Sequence, residues 1–302
     1  MDAEAPVRLG WYSYLNCLPL RAFWRTKVAV NEVIAPPDQL AEMMLQGQVD
    51  VAPISLIEYL RAADSLQPLP VAAIGSDGPV MSCVLVTRRD PEELEGRVVA
   101  LSTASRTSVT LARILLSNDA GVRPVYQSGT GNTMDLLRGA DAAVIIGDEA
   151  LAAHERPPAG TKVVDLGSWW RRWAGAPMVF AVWAARAEIV ASRQKQVCAL
   201  GTALARAAEE ARLRTGALVL PPSASRPIKP ATLRQYFRVL DYRLGPDQVN
   251  GIRRFAEEAM RDGALPSGRE VLERVERICP TRPISLLDER HQERVLELGR
   301  PL

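Results

Sequence analysis

The sequence predicts an α/β chain with room for two lobes, and three observations carry that reading. Short apolar segments alternate with amphipathic ones through residue 186, the rhythm of strands interleaved with helices. From Ala187 onward the pattern turns mostly helical. At 302 residues the chain can build two cores with a cleft between them, or one large α/β domain.

The elements follow in order. VRLGWYSY reads as a first strand, and in PPDQLAEMMLQG the apolar Leu40, Met43 and Met44 fall on one helical face, with Asp38 placed to cap the start and Gly47 to end it. VDVAPI follows as a strand, and SLIEYLRAA, VMSCVLVTRR, RVVALST, TSVTLARILLS, ADAAVIIGD and MVFAVWAAR continue the alternation. Ala187 to Thr215 reads as one long or once-broken helix stopped by Gly216, after which PPSASRPIKP breaks the chain. Residues 231 to 279 read as two further helices, with Ile252, Phe255, Ala256 and Met260 on a shared face. The charged DERHQERVLELGRPL, 288 to 302, reads as a solvated terminal helix or tail.

Composition excludes several classes. With 47% hydrophobic and 24% charged residues, 22 Pro and 20 Gly, the chain has the make-up of an ordinary globular protein, not of a disordered, collagenous or coiled-coil one. Thirty-seven Lys and Arg against 35 Asp and Glu give a formal charge of +2, too balanced for a nucleic-acid surface, so anion selectivity has to come from local groups. No apolar run reaches the roughly 20 residues of a membrane helix. MDAEAPVRLGWYSYLN has no basic start followed by an apolar stretch, so the expectation is a soluble cytoplasmic protein that engages no membrane. Cys17, Cys83, Cys198 and Cys279 form no close pair, which excludes a zinc ribbon or a CxxC redox site and suggests reduced core or cleft-wall thiols. His154 and His291 share no ligand spacing, so no histidine-based metal site is expected. GTGN at 129 to 132 lacks the Lys and length of a phosphate loop and reads as a turn, while WWRRW, with Trp169, Trp170 and Trp173, reads as packing. The oligomeric state is left open.

Four segments can carry chemistry. In SYLNCLPL the first strand ends in a polar cluster before Pro19 opens a helix, and Asn16 there offers both an amide donor and a carbonyl acceptor, or else supports the turn. In LSTASRTSVTLARILL a strand runs through six hydroxyl-bearing residues into a helix; Ser105 can cap it, and Thr107 and Ser108 can add donors to the exposed amides of a carboxylate or phosphate cradle. Plain capping accounts for the same letters, and Arg106 can strengthen the cradle or point into solvent. GSDGPVMSCVLV turns into a strand with Ser76, Asp77 and Ser82 available, and type II turn chemistry also explains SDGP. AAVIIGD delivers Gly147 and Asp148 to a strand end, where Asp148 can equally cap the helix EALAAHE.

Taken in order, SYLNCLPL, GQVDVAPISLIEYL, SDGPVMSCVLVTR, LSTASRTSVTLARILL, ADAAVIIGDEAL and PMVFAVWAAR closely resemble the chorismate dehydratase family of the futalosine route to menaquinone. The likeness is strong over residues 7 to 186 and one of length and pattern beyond. Cys17 stands where the family's opening usually has Thr, and the SPCPNDT-like opening of the related cyclic-futalosine enzyme is absent. The resemblance implies a two-lobed type II periplasmic-binding-protein-like fold, with lobe one at about 1 to 87 plus 182 to 302 and lobe two at about 88 to 181. VLVTRR and FAVWAAR would then lie near the crossings. It further implies loss of water from chorismate to give 3-[(1-carboxyvinyl)oxy]benzoate, a hydro-lyase reaction needing no cofactor and no metal. Asn16 matches the family's active-site Asn, and the expected substrate-binding set is Ser55, Ser82, Ser105, Thr107, Ser108, Gly147 and Asp148. The proton acceptor is either the substrate's own enolpyruvyl carboxylate, which is favoured, or Asp148. The competing class is a non-catalytic intracellular solute-binding or sensing protein of the same fold, since fold alone does not give function.

Overall fold

The computed structural model describes residues 5–61, 65–214, 218 and 228–278. The chain opens with β1 (Val7–Tyr12), a single 3-10 turn at Leu15–Cys17 and α1 (Leu18–Phe23), then β2 (Val30–Ala35), α2 (Pro37–Leu45), β3 (Val51–Ser55), α3 (Leu56–Arg61) and β4 (Leu66–Ser76). Next come β5 (Cys83–Thr87), β6 (Val98–Ser102), α4 (Arg106–Asn118), β7 (Val125–Gly129), α5 (Thr133–Leu136), β8 (Ala142–Ile146), α6 (Gly147–Glu155), β9 (Lys162–Asp165) and α7 (Leu166–Ala174). β10 (Met178–Arg186) precedes α8 (Ala187–Ser192), α9 (Gln194–Arg214), α10 (Pro230–Val239), α11 (Pro246–Arg261) and α12 (Arg269–Arg277).

The strands form two five-stranded sheets, ordered β2-β1-β3-β10-β4 and β7-β6-β8-β5-β9. Each has the same plan. Three parallel strands lead (β2, β1, β3 and β7, β6, β8), and the fourth, β10 or β5, runs antiparallel to both of its neighbours. In both sheets that antiparallel strand is the first one laid down after the chain arrives from the other sheet. The central strands are buried on both faces, which is why β3 and β5 read as continuous apolar runs and not as alternation.

By sheet membership the chain crosses through residues 77–82 and 175–177. The expected boundaries lie a few residues beyond these crossings, one at the end of β5 and one within β10: β5, assigned to lobe one, pairs with β8 and β9, and Met178 and Ala181, assigned to lobe two, pair with Ser76 and Ser55. An antiparallel strand beside a crossing has the same apolar letters as a hinge strand, so composition does not separate them.

Local readings fare unevenly. The long helix is broken once, at Arg193 between α8 and α9. The region after residue 230 holds three helices, not two, because Leu240–Gly245 and Gly263–Gly268 interrupt it; Ile252, Phe255 and Ala256 are fully buried as expected. Asp38 lies in the first turn of α2 and does not cap it, since Pro36 occupies the cap and Pro37 the first helical position. Gly47 follows that helix at a φ of 74°. Asn132 of GTGN caps α5, and Trp170 packs edge-on against Phe255 and Trp173. Gly216, Cys279, His291 and the charged tail lie outside the described residues. No helix among the described residues is long and apolar enough to cross a membrane.

Candidate functional site

The carboxyl ends of parallel strands are where an open α/β sheet exposes helix starts and receives ligands. Here five such junctions, from both sheets, meet at one cavity: Asn16 after β1, Pro37 after β2, Ser55 at the end of β3, Ser105 after β6 and Gly147 after β8. Ser82 enters from the first crossing, Cys83 from the start of β5, and Ser108 from the first turn of α4. Six of the eight residues expected from sequence therefore surround one space. None of its lining residues carries a charge. The cavity measures about 50 Å³ and shares Tyr14 and Ile146 with a wider one of about 440 Å³ that includes Ser13, Ser102, Asp148 and Glu149.

Its polar atoms are unevenly satisfied. The Tyr12 hydroxyl, Asn16 Oδ1 and Ser55 Oγ are buried and make no hydrogen bond within the protein. Each such group costs about 1–3 kcal/mol of uncompensated desolvation, and all three line this cavity. Burial holds the Tyr12 phenol well above its ordinary pKa, so it is a neutral donor and acceptor. The remaining hydroxyls are anchored. Ser105 caps α4, accepting the Ser108 amide at 3.4 Å, and the two side-chain oxygens lie 3.1 Å apart. Ser82 hydrogen-bonds the buried Tyr236 phenol. The Cys83 thiol, against Ser108, is pushed up to about 12 by burial, and Cys17 likewise, so neither is a thiolate nucleophile.

Asn16 owes its place to its backbone. The 3-10 turn is held from one side by Tyr242, whose hydroxyl donates to the Asn16 carbonyl at 2.6 Å, and from the other by Asp148, whose carboxylate accepts the Leu15 amide at 3.2 Å. The latter bond joins the two halves of the cleft. Beside it Gly147, at a φ of 66°, lies so close to Tyr14 that a Cβ there would sit 3.0 Å from the ring.

Two expected residues are not at this cavity. Thr107 is fully buried and its hydroxyl accepts the Ile57 amide at 3.1 Å, pinning the start of α4 to α3; the helical turn that points Ser108 at the cavity turns its neighbour away. Asp148 lines the wider cavity and is not the cap of α6, whose cap position is Ile146. Arg106 reaches outward to Glu58 at 3.2 Å and adds no charge to the cradle. Sequence reading missed Tyr12, Tyr236 and Tyr242. Tyr12 lies in a strand whose apolar letters read as core, and the other two come from a helical region whose approach to the cleft leaves no local signal. Among the described residues no group of three His, Cys, Asp or Glu is placed to hold a metal ion.

Comparison with known proteins gives concordant results. A sequence-family profile described as menaquinone biosynthesis matches residues 7–261. Chorismate dehydratase of Thermus thermophilus is 32% identical over 266 residues, which cover 83% of this chain and 94% of that protein. Among solved structures, a Candida albicans protein described as having the generic periplasmic-binding-protein fold superposes with a TM-score of 0.69 at 10% identity, covering 95% of this chain and 99% of that one. The alkanesulfonate-binding protein of Xanthomonas axonopodis pv. citri, bound to MOPS, does so at 0.64 and 16%, covering 92% and 99%. The fold is thus that of the periplasmic binding proteins, and by sequence the chain belongs to the menaquinone-biosynthesis family, alongside the T. thermophilus chorismate dehydratase.

Proposed function

We propose that the protein is a hydro-lyase that removes water from chorismate to give 3-[(1-carboxyvinyl)oxy]benzoate, acting in the cytoplasm without a cofactor. The observation that carries this, beside the family, is the convergence of three unpartnered buried groups, Tyr12, Asn16 and Ser55, on a cavity without a charged side chain. Chorismate carries two carboxylates. Neutral hydroxyls and the amide ends of α4 and α6 suit them, because the helix starts bring partial positive charge with no counter-ion to strip.

In the reaction, the ring carbon bearing the enolpyruvyl ether gives up its proton, and the C–H electron pair closes the third double bond of the ring as the neighbouring hydroxyl leaves. Proton and hydroxyl together make the water released. Aromatisation makes the step strongly downhill, so holding the reacting atoms in place supplies much of what is needed. The lining offers no basic side chain for the proton. The substrate's enolpyruvyl carboxylate takes it, and Asp148, engaged with the Leu15 amide, is a strap between the lobes. Asn16 orients the departing hydroxyl or a carboxylate; Ser105 and Ser108 hold a carboxylate with the start of α4. The two sheets act as lobes that close over the substrate and shut out water.

Incubating the purified protein with chorismate and following products by mass tests this. The expected product is lighter by one water. Chorismate bound and recovered unchanged would make the protein a binder or sensor and overturn the dehydratase reading.

A further inference from the structure

The first crossing contains a strained turn. Among the described residues Met81 is the one non-glycine residue at positive φ, 58°. The Ser82 amide donates to the Val80 carbonyl at 2.6 Å, closing a three-residue turn around it. Left-handed turns of this kind are rare and unfavourable for a side chain as large as Met, and such conformations persist only where the surroundings enforce them.

The enforcing group is Asp165, the last residue of β9. Its carboxylate accepts the Met81 amide at 2.6 Å and the Val80 amide at 3.1 Å, while also capping α7 through the Ser168 amide at 2.8 Å. The crossing lies flat on α7 next to it: a Cβ on Gly167 would come within 2.5 Å of the Gly78 carbonyl. The residue delivered by this turn is Ser82, whose side chain lines the cavity and meets Tyr236, and whose carbonyl accepts the Gly147 amide at 2.8 Å.

We infer that Asp165 is a positioning residue that holds the Met81 turn in its strained form and thereby aims the Ser82 hydroxyl into the cleft. Nothing else described in the structure accepts the Met81 amide, and without an acceptor there the turn can relax into an extended path that moves Ser82. The kinetic consequence rests on the dehydratase reading above; the conformational one does not.

Asp165→Asn tests both, because the amide oxygen still caps Ser168 while the amide nitrogen can no longer accept from Met81. Hydrogen exchange at the Met81 amide is expected to speed up by about tenfold or more, with the protection of the neighbouring strands β5 and β9 unchanged. Chorismate turnover is expected to fall about tenfold with KM within roughly threefold, and the same substitution on top of Ser82→Ala to cost nothing further, since a residue acting through Ser82 has no effect once that hydroxyl is gone. Wild-type exchange at Met81 in Asp165→Asn, or losses that multiply in the double variant, would overturn the inference. A wild-type protein that leaves chorismate intact overturns the dehydratase reading instead, and Met81 exchange then decides the clamp on its own.

Discussion

Replacing Asn16 by Ala separates a working residue from a structural one, because the structure predicts opposite effects on activity and stability. Asn16 Oδ1 is buried with no partner in the protein, so its removal breaks no internal hydrogen bond. It relieves part of a desolvation cost of about 1–3 kcal/mol, against which the loss of a half-buried side chain's contacts is small. The net is a stability unchanged or raised by about 1 kcal/mol, and a Tm the same or about 2–4 °C higher. Turnover moves the other way. If the amide acts chiefly in the transition state, its loss costs about 100-fold in kcat, roughly 2.7 kcal/mol. Asn16→Asp adds a second signature, since the cavity offers no cation to neutralise a new carboxylate. One such charge about 5 Å from a substrate carboxylate costs about 3 kcal/mol at an effective dielectric constant near 20, or about a hundredfold in KM. The assay is chorismate consumption at varied concentration, paired with calorimetric unfolding of both variants. Near-normal turnover in Asn16→Ala, or activity lost in step with a Tm lowered by several degrees, would show that Asn16 is a turn residue.

Tyr12→Phe and Ser55→Ala each delete one unpartnered buried hydroxyl, so both should unfold at or above the wild-type Tm while chorismate binds several-fold more weakly; lower stability with normal kinetics would contradict the assignment. Gly147→Ala combines left-handed strain of about 1–2 kcal/mol with a methyl 3.0 Å from the Tyr14 ring, and should lower Tm and raise KM together, read by the same pair of assays. Thr107→Val should cost about 1–3 kcal/mol in urea unfolding by stranding the Ile57 amide and leave KM unchanged; a KM that rises at constant stability would return Thr107 to the substrate contacts. Burial pushes the Cys17 and Cys83 thiols up to about 12, so peptide mapping after iodoacetamide at pH 8 should find both unmodified in the folded protein.

Much of the cavity was legible in the sequence because it is made at strand ends. A run of apolar letters followed by Ser, Thr, Asn or Gly and then an amphipathic stretch marks a strand-to-helix junction, and Asn16, Ser105 and Gly147 all sit at one. What such a pattern lacks is rotation. It does not distinguish Ser108, which faces the cavity, from Thr107, which faces α3, since adjacent residues of a helix start differ only in azimuth. Contacts between distant segments were also silent. Tyr236 and Tyr242 reach Ser82 and Asn16 from more than 150 positions away, and Asp165 reaches Met81 from 84. The crossings were displaced for a related reason: β5 and β10 carry ordinary buried-strand letters, and only their pairing partners reveal which sheet owns them.

The placement of β10 between β3 and β4 bears on how the chain is made. The second sheet is built entirely from residues 83–165, a continuous stretch that contains all of its own strand partners. In the first sheet β3 and β4 do not pair with each other, and both wait for a strand that begins at Met178. On a ribosome working at about 5–20 residues per second, β3 and β4 therefore spend several seconds with open edges while the later segment acquires its structure. Synthesis order thus makes the later segment the first to finish, and the amino-terminal strands the part of the nascent chain most exposed to aggregation and most dependent on chaperones.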